Sequence, residues 1–389
     1  MNLSQDIQAL LPEAVRLRRS LHRIPELGFQ LFETQKLVWA ELEACGPDRL
    51  EKLAVTGLRA VFLTPGAAET IAFRADMDAL PNDEPPGAEY ASCHPGKMHG
   101  CGHDGHMTVL LLLAKWIAAH RDALGVNVVL LFQPGEEGWA GAKRMIDDGA
   151  LDNPKPDRIY GLHLWPTVPK GKIGVRWGYQ MAQTSDFSIT VHGKSAHAST
   201  PQMGIDAIVV AAEMITMLQT VITRDVDPHQ DALLTLGKIC GGTAHNVIAE
   251  EVVIDGTLRT FSDDLFQTLV HKSHALIHGL EIATGARIEF DRKVYYPCVN
   301  NPRPLVEQLY TVLDSMDDTV LVDPAMAAED FAEYQRRVPG VFFFLGIQGG
   351  RGGAPLHASG FDFDEDALLY GAEVFKRLVT KSGTPAAIE

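Results

Sequence analysis

Residues 127–132 read Asn-Val-Val-Leu-Leu-Phe, an almost unbroken apolar run with no polar alternation. A strand of that kind has to be covered on both faces. A second run, Arg-Ile-Tyr-Gly-Leu-His-Leu at 158–164, repeats the pattern, and a helical stretch at 141–148 separates the two. Strand, helix and strand in that order predict a mostly parallel sheet flanked by helices, an α/β architecture. Shorter β-rich runs at 58–63 and 70–75 and a helix at about 106–120 belong with it. The segment 3–44 is helical in pattern, with a break at Ile24-Pro25-Glu26-Leu27-Gly28.

The pattern changes after Gly178. Residues 184–191 alternate polar and apolar, as a strand with one wet face does. A helix at 204–224, strands at 232–239 and 250–261, a helix at 265–284 and a strand at 286–294 follow. The order β-α-β-β-α-β is the split unit of a small ferredoxin-like sandwich. The chain then returns to the first pattern, with a helix at 304–313, a strand at 340–345 and a closing helix at 365–378. Three segments are therefore expected: a first domain at 1–179, an inserted domain at 180–292, and the completion of the first domain at 293–389. The length, 389 residues, also exceeds what one core usually fills.

A formal net charge of −16 speaks against a nucleic-acid partner, which needs a basic footprint. It leaves room for an anionic small substrate at a locally positive site. The cysteines, Cys45, Cys93, Cys101, Cys240 and Cys298, are few, odd in number and scattered, which is not a disulfide framework. Reduced thiols in a cytoplasm are the simpler expectation. Residues 1–11 lack the basic start and apolar core of a signal peptide. The apolar run at 109–114 is too short to cross a bilayer, so no membrane association is expected.

Chemistry-bearing residues concentrate in a few places. Met98-His99-Gly100-Cys101-Gly102-His103-Asp104-Gly105-His106 precedes a helix. Thiolate and imidazole suit zinc and other borderline metals, although the spacing matches no closed structural zinc motif. Gln133-Pro134-Gly135-Glu136-Glu137-Gly138 follows the 127–132 strand directly. Two adjacent carboxylates there can divide the work, one binding metal and the other accepting a proton. Asp76 and Asp78 end the 70–75 strand, His163 lies in the 158–164 strand, and His357 stands in Pro355-Leu356-His357-Ala358-Ser359. A lone histidine in an apolar strand is ordinarily a hydrogen-bonded core residue. Position raises these together, because each ends or follows a buried strand and a sheet gathers such residues at one edge. The chain has no G-x-S-x-G elbow and no phosphate-binding glycine motif.

Together these motifs resemble the dinuclear metallopeptidases and amidohydrolases that include aminoacylases, hippurate hydrolases and carboxypeptidase-type enzymes. The branch most similar is that of the N-acyl-L-amino acid amidohydrolases. The similarity runs nearly end to end, through Leu21-His22-Arg23-Ile24-Pro25-Glu26, Arg74-Ala75-Asp76-Met77-Asp78-Ala79-Leu80-Pro81, the Cys101 and Glu136 clusters, Gly161 to Trp165, Gly193 to His197, Gly241 to Ile248 and Phe361 to Ala367. The resemblance implies a metallopeptidase (phosphorylase/hydrolase-like) catalytic domain and an inserted ferredoxin-like α+β lid and dimerisation domain. It implies two divalent metal ions, of zinc, manganese, cobalt or nickel, on Cys101, His103, Glu137, His163 and His357. Glu136 falls on the general base and Asp78 on an aspartate that orients a ligand. Asp76 stands where relatives carry a metal-binding histidine, and is taken as a support residue because Cys101 assumes that duty. Gly135, Gly100 and Met107 depart from the usual alanine, alanine and threonine without removing a functional group.

In the inserted domain, His245 resembles the histidine that reaches a partner subunit's site as an oxyanion donor. Asn246, His197 and Arg259 are candidates for the substrate, the last because guanidinium pairs bidentately with carboxylate. The activity implied is hydrolysis of N-acyl-L-amino acids, such as hippurate or N-acetyl-diaminopimelate, by a cytoplasmic homodimer. Two alternatives share the same residues: a dipeptidase or carboxypeptidase-type enzyme, and a catalytically silent metal- or ligand-binding dimer module.

Overall fold

The computed structural model describes residues 1–85, 87, 89–351 and 353–381. They form two compact units: Met1–Gln180, Val299–Asp323 and the chain from Asp330 onward make the first, and Met181–Cys298 with Pro324–Glu329 the second.

The first unit is built on an eight-stranded sheet in the order Arg49–Leu53, Gly57–Phe62, Asn127–Gln133, Thr70–Asp76, Arg158–Pro169, Gly340–Gln348, Ile173–Gly174, Thr319–Val320. The four middle strands from Asn127–Gln133 to Gly340–Gln348 are mutually parallel. Gly57–Phe62 and Arg49–Leu53 are added antiparallel at one side. Every residue of Thr70–Asp76 is buried, and so is all of Asn127–Gln133 after its first residue. Both faces are therefore covered, and each buried Val, Leu or Phe stabilises the sheet by about 1.5–3 kcal/mol. Much of that cover comes from the helix His103–Ala119, which packs on the strands and against Leu11–His22 and Ala367–Lys381. It starts three residues earlier than the apolar spacing suggests, because Gly102 turns the chain with φ 87° and puts His103 in the first turn. Glycine adopts that conformation without a Cβ clash.

The second unit is a four-stranded antiparallel sheet ordered Arg287–Tyr296, Gln183–His192, Glu251–Thr260, Ala232–Gly241. The helices Ala207–Asp225 and Asp263–Thr284 pack on it, in the expected β-α-β-β-α-β sequence. Asp206 caps the first helix by accepting from the Ile208 and Val209 amides, and Ser262 caps the second by accepting from Leu265. Ala207–Asp225 is long and apolar enough, by length and composition, to cross a membrane. Its Val210, Ala211, Met214, Leu218 and Val221 are buried in this unit's core. The last strand runs on to Tyr296, past the spacing-based end at Val294, because the pairing with Gln183–His192 continues beyond a bulge.

Candidate metal centre

Three parallel strands of the first unit end side by side. Asp76 is paired in register with Gln133, and Arg74 with Gly161. The loops that leave these carboxyl ends bring Asp78, Glu136 and Glu137 to the edge where His163 lies, as open α/β sheets do. Cys101 and His103 arrive from the Gly102 turn. His357 arrives nine residues beyond the Gly340–Gln348 strand.

These residues form two overlapping triads. Cys101, His103 and His163 have ligand atoms within 4.8 Å of one another, and so do Cys101, Glu137 and His357. Cys101 belongs to both: its Sγ lies 3.4 Å from His163 Nε2 and 3.3 Å from His357 Nε2. Glu137 Oε1 is 3.4 Å from His357 Nε2 and 3.9 Å from His103 Nε2. Glu136 stands in neither triad, but is grouped with His103 and Glu137. All five proposed ligands and the proposed base thus converge.

The surroundings fix how the ligands point. His103 donates from Nδ1 to the Asp78 carbonyl at 2.8 Å, and His163 from Nδ1 to the Leu164 carbonyl at 2.7 Å. Each bond leaves Nε2 facing the centre, as expected of imidazoles whose other ring nitrogen is held by a carbonyl while Nε2 meets a metal. His357 has φ 66°, a left-handed conformation that costs a non-glycine residue of order 1–3 kcal/mol. It is held there by its own amide donating to Gly100 and by Asn82 donating to its carbonyl. The Asp78 carboxylate accepts from the amides of both Glu136 and Glu137, at 3.0 and 3.1 Å. One side chain therefore clamps the turn that carries both glutamates.

The donor set fits divalent cations. His103 Nε2 and Glu137 Oε1 are buried and lack a hydrogen-bond partner among the described residues, as groups do when an ion completes them. Burial alone would lower the pKa of His103, but Asp76, Asp78 and Glu137 raise it to about 10. A proton there occupies the field that a cation would fill. The Cys101 thiol is pushed well up by burial and then by Glu137, Glu136 and Asp76. His163 is held well below the ordinary range by burial, with His106 adding to the effect.

His106 completes a further buried triad with Asp76 and His103. It is not available as a ligand: Nδ1 donates to Asp76 at 2.6 Å and Nε2 accepts from the Leu164 amide at 2.9 Å. Asp76 is spent on His106 and on Arg74, whose Nη1 donates to it at 2.7 Å. Spacing singles out none of Arg74, Gln133 and Asp330, which are hydrogen-bonded to one another beneath the centre. The Arg74 and Gln133 positions were visible only as neighbours of the two acidic motifs.

The other proposed site residues lie in the second unit. His197 and His245-Asn246 sit on adjoining exposed loops, joined by the Ala198 amide donating to the Asn246 carbonyl at 3.1 Å. His197 Nδ1 is engaged with Ser199 Oγ at 2.7 Å. Arg259 donates one arm to the Met326 carbonyl at 2.7 Å, which leaves the rest of the guanidinium for another acceptor.

Residues 72–381 match the description "Peptidase family M20/M25/M40". An N-acetyldiaminopimelate deacetylase of Bacillus cytotoxicus is 37% identical over 372 residues, covering 95% of this chain and 98% of that protein. An IAA-amino acid hydrolase, ILR1-like 4, of Arabidopsis thaliana is 37% identical over 377 residues, covering 94% of this chain and 85% of that protein. Among solved structures, a Bacillus subtilis dinuclear metal binding peptidase from the M20 family superposes with a TM-score of 0.82 at 31% identity, covering 96% of this chain and 99% of that one.

Proposed function

The chain belongs to peptidase family M20/M25/M40, and from that membership we propose that it hydrolyses the amide bond of N-acyl-L-amino acids at a two-metal centre with Glu136 as general base. The observation that carries the reading is the pair of ligand triads sharing Cys101, with the Glu136 carboxylate beside them. Cys101, His103 and His163 would hold one ion, and Cys101, Glu137 and His357 the other. When bound, the ions supply Lewis acidity to a water and to the amide oxygen. Zinc, manganese, cobalt and nickel all suit a mixed thiolate, imidazole and carboxylate shell.

Glu136 accepts the proton of the attacking water and returns it to the departing nitrogen as the carbon–nitrogen bond breaks. The products are a carboxylate and a free amino acid. The Asp78 clamp keeps the base and its ligand neighbour pointing apart, so neither takes over the other's task. Arg259 is the group for the substrate carboxylate, and Asn246 and His197, on loops that adjoin at His245, would reach the acyl-amino acid together with that histidine. The two relatives described above are equally identical to this chain and are named for different acyl groups. What those names share is an acyl group on an amino-acid nitrogen, and that shared chemistry is the substrate class assigned here. A panel of N-acetyl-, benzoyl- and indoleacetyl-amino acids, including N-acetyl-diaminopimelate, assayed for amine release with added metal, tests it. Cleavage of unblocked dipeptides alone would replace this reading with a dipeptidase. Failure on every substrate with two ions bound would leave the silent module.

A homodimer is part of the same reading. Ala232–Gly241 is an edge strand, and edge strands offer unpaired backbone groups to another chain. Ile239 on it, and Ile208 and Val209 on the neighbouring helix, are 50–58% exposed, apolar surface that a second copy would cover. The oxyanion donor would then be the partner subunit's His245. Glu136→Ala and His245→Ala proteins, each inactive alone, are expected to regain about a quarter of the parent rate when mixed and allowed to exchange, because half the dimers then hold one intact site. Absence of any recovery, with exchange verified, would remove His245 from the partner's site. The five cysteines are all free thiols, which suits a cytoplasmic enzyme.

A further inference from the structure

We propose that Asp330 is a positioning residue for the turn that carries Glu136, acting through both feet of that turn rather than on the substrate. The inference rests on the role given to Glu136 above. Asp330 lies far along the chain, separated by 197 residues from Gln133 and by 188 from Ala142, yet it binds both. Gln133 is the last residue of the strand Asn127–Gln133, and Ala142 lies in the first turn of the helix Gly141–Asp147. The Glu136 turn is what joins them. Gln133 Nε2 donates to both Asp330 oxygens at 2.9 Å, and the Ala142 amide donates to Oδ2 at 2.8 Å. One carboxylate thereby ties the two ends of the loop together.

The loop between those feet is tightly closed. The Gly141 amide donates to the Gly135 carbonyl at 2.9 Å, and a Cβ at Gly141 would fall 1.7 Å from the Pro134 oxygen. Only glycine fits, so the closure has no slack to absorb a movement of either foot. Asp78 holds the crown of the loop through the Glu136 and Glu137 amides. Asp330 holds the base.

Asp330 also reaches the other side of the centre. Arg74 Nη2 donates to it at 2.8 Å, Arg74 Nε to Gln133 Oε1 at 2.8 Å, and Arg74 Nη1 to Asp76 at 2.7 Å. Asp76 holds His106, and His106 holds the Leu164 amide next to His163. A continuous hydrogen-bonded chain therefore runs beneath the centre from the Glu136 loop to the His163 strand. Arg74, Asp76, Gln133 and Asp330 are all at most 1% exposed, so water does not compete for these bonds. Two carboxylates share one guanidinium, so removing the Asp330 charge still leaves Arg74 paired with Asp76, and the fold is expected to survive it.

Asp330→Asn puts an amide N–H against donors, Gln133 together with either Arg74 or the Ala142 amide, and loosens one foot. The metal-loaded full-length variant should keep two ions and a KM within about threefold, while kcat falls about 100-fold, the scale of an ångström-sized misplacement of a reacting group. Hydrogen exchange on the metal-free protein supplies a readout independent of turnover: amides in 134–142 should exchange about tenfold faster, with the rest of the chain unchanged. The double variant Asp330→Asn with Gln133→Glu keeps the acceptor for Arg74 Nε at position 133 and restores a donor–acceptor pair between 330 and 133, with the donor now on 330. It should recover about tenfold in kcat and restore protection. Parent-like kcat and loop exchange in Asp330→Asn would overturn the proposal. So would a general loss of protection that the double variant fails to rescue, which marks a merely structural role. If the parent is inactive on every substrate while Asp330→Asn still loosens only 134–142, the functional reading fails and the tether stands.

Discussion

Glu136→Ala is expected to bind two metal ions and to lose about 10³- to 10⁴-fold in kcat, the upper range of general acid–base catalysis. The reason is geometric. Neither ligand triad contains Glu136, so its truncation leaves Cys101, His103, Glu137, His163 and His357 in place. Its amide stays bound to Asp78, so the turn should not collapse. What disappears is the carboxylate, which is only 7% exposed and grouped with His103 and Glu137 at the centre. Glu136→Gln keeps the shape and an acceptor oxygen but cannot take up a proton at neutral pH, and should be nearly as slow. Glu137→Ala is the contrast: it removes a ligand, so metal content should fall along with rate. Metal analysis beside steady-state kinetics separates the two. Turnover within a few-fold of the parent in Glu136→Ala would remove the base role from this residue.

The buried strands were legible because burial on both faces leaves a continuous apolar run, and Asn127–Gln133 and Arg158–Pro169 carry one each. The polar edge strand Arg49–Leu53 was not, because half-exposed charged side chains hide the alternation, as they commonly do on protected edges. The two-residue strands Ile173–Gly174 and Thr319–Val320 are set by pairing alone and leave no pattern. Within the centre, Cys101 and His103 announce themselves by density and Glu136-Glu137 by the strand they follow. His357 does not. It lies 256 residues from Cys101, in a left-handed loop conformation that histidine spacing cannot suggest, and only its place after a buried strand, and then family resemblance, join it to the others. Asp330 is harder still, one of 50 acidic residues with no neighbouring motif to single it out. Its place comes from tertiary closure, which brings a distant carboxylate under the Gln133–Ala142 loop. His106 shows the opposite error that spacing invites: it sits in the densest ligand-like cluster, yet both ring nitrogens are committed to Asp76 and Leu164.

Cys101→Ala should be more damaging to metal binding than any other single ligand change, because Cys101 is the member common to both triads. Loss of an outer partner typically costs 10- to 100-fold in metal affinity, and loss of a shared ligand is expected to exceed about 100-fold for both ions. Activity at limiting metal should then be undetectable, and a large excess of metal should restore only part of it. The protons tell the same story. Without metal, burial and the acidic neighbours keep Cys101 as a thiol, and His103, raised to about 10, carries a proton at neutral pH. A ligand must be deprotonated, so loading the parent at pH 7.5 should release about two protons, one from each residue. Metal and protons therefore compete, and affinity should fall as pH falls. Calorimetry in buffers of different ionisation heat counts the released protons. In Cys101→Ala the count should drop to about one, that of His103 alone, whereas His357→Ala should keep it near two while weakening one ion. A Cys101→Ala protein that takes up both ions with parent affinity and the parent proton count would show that the thiol is a bystander, and that the two triads do not describe the metal-bound centre.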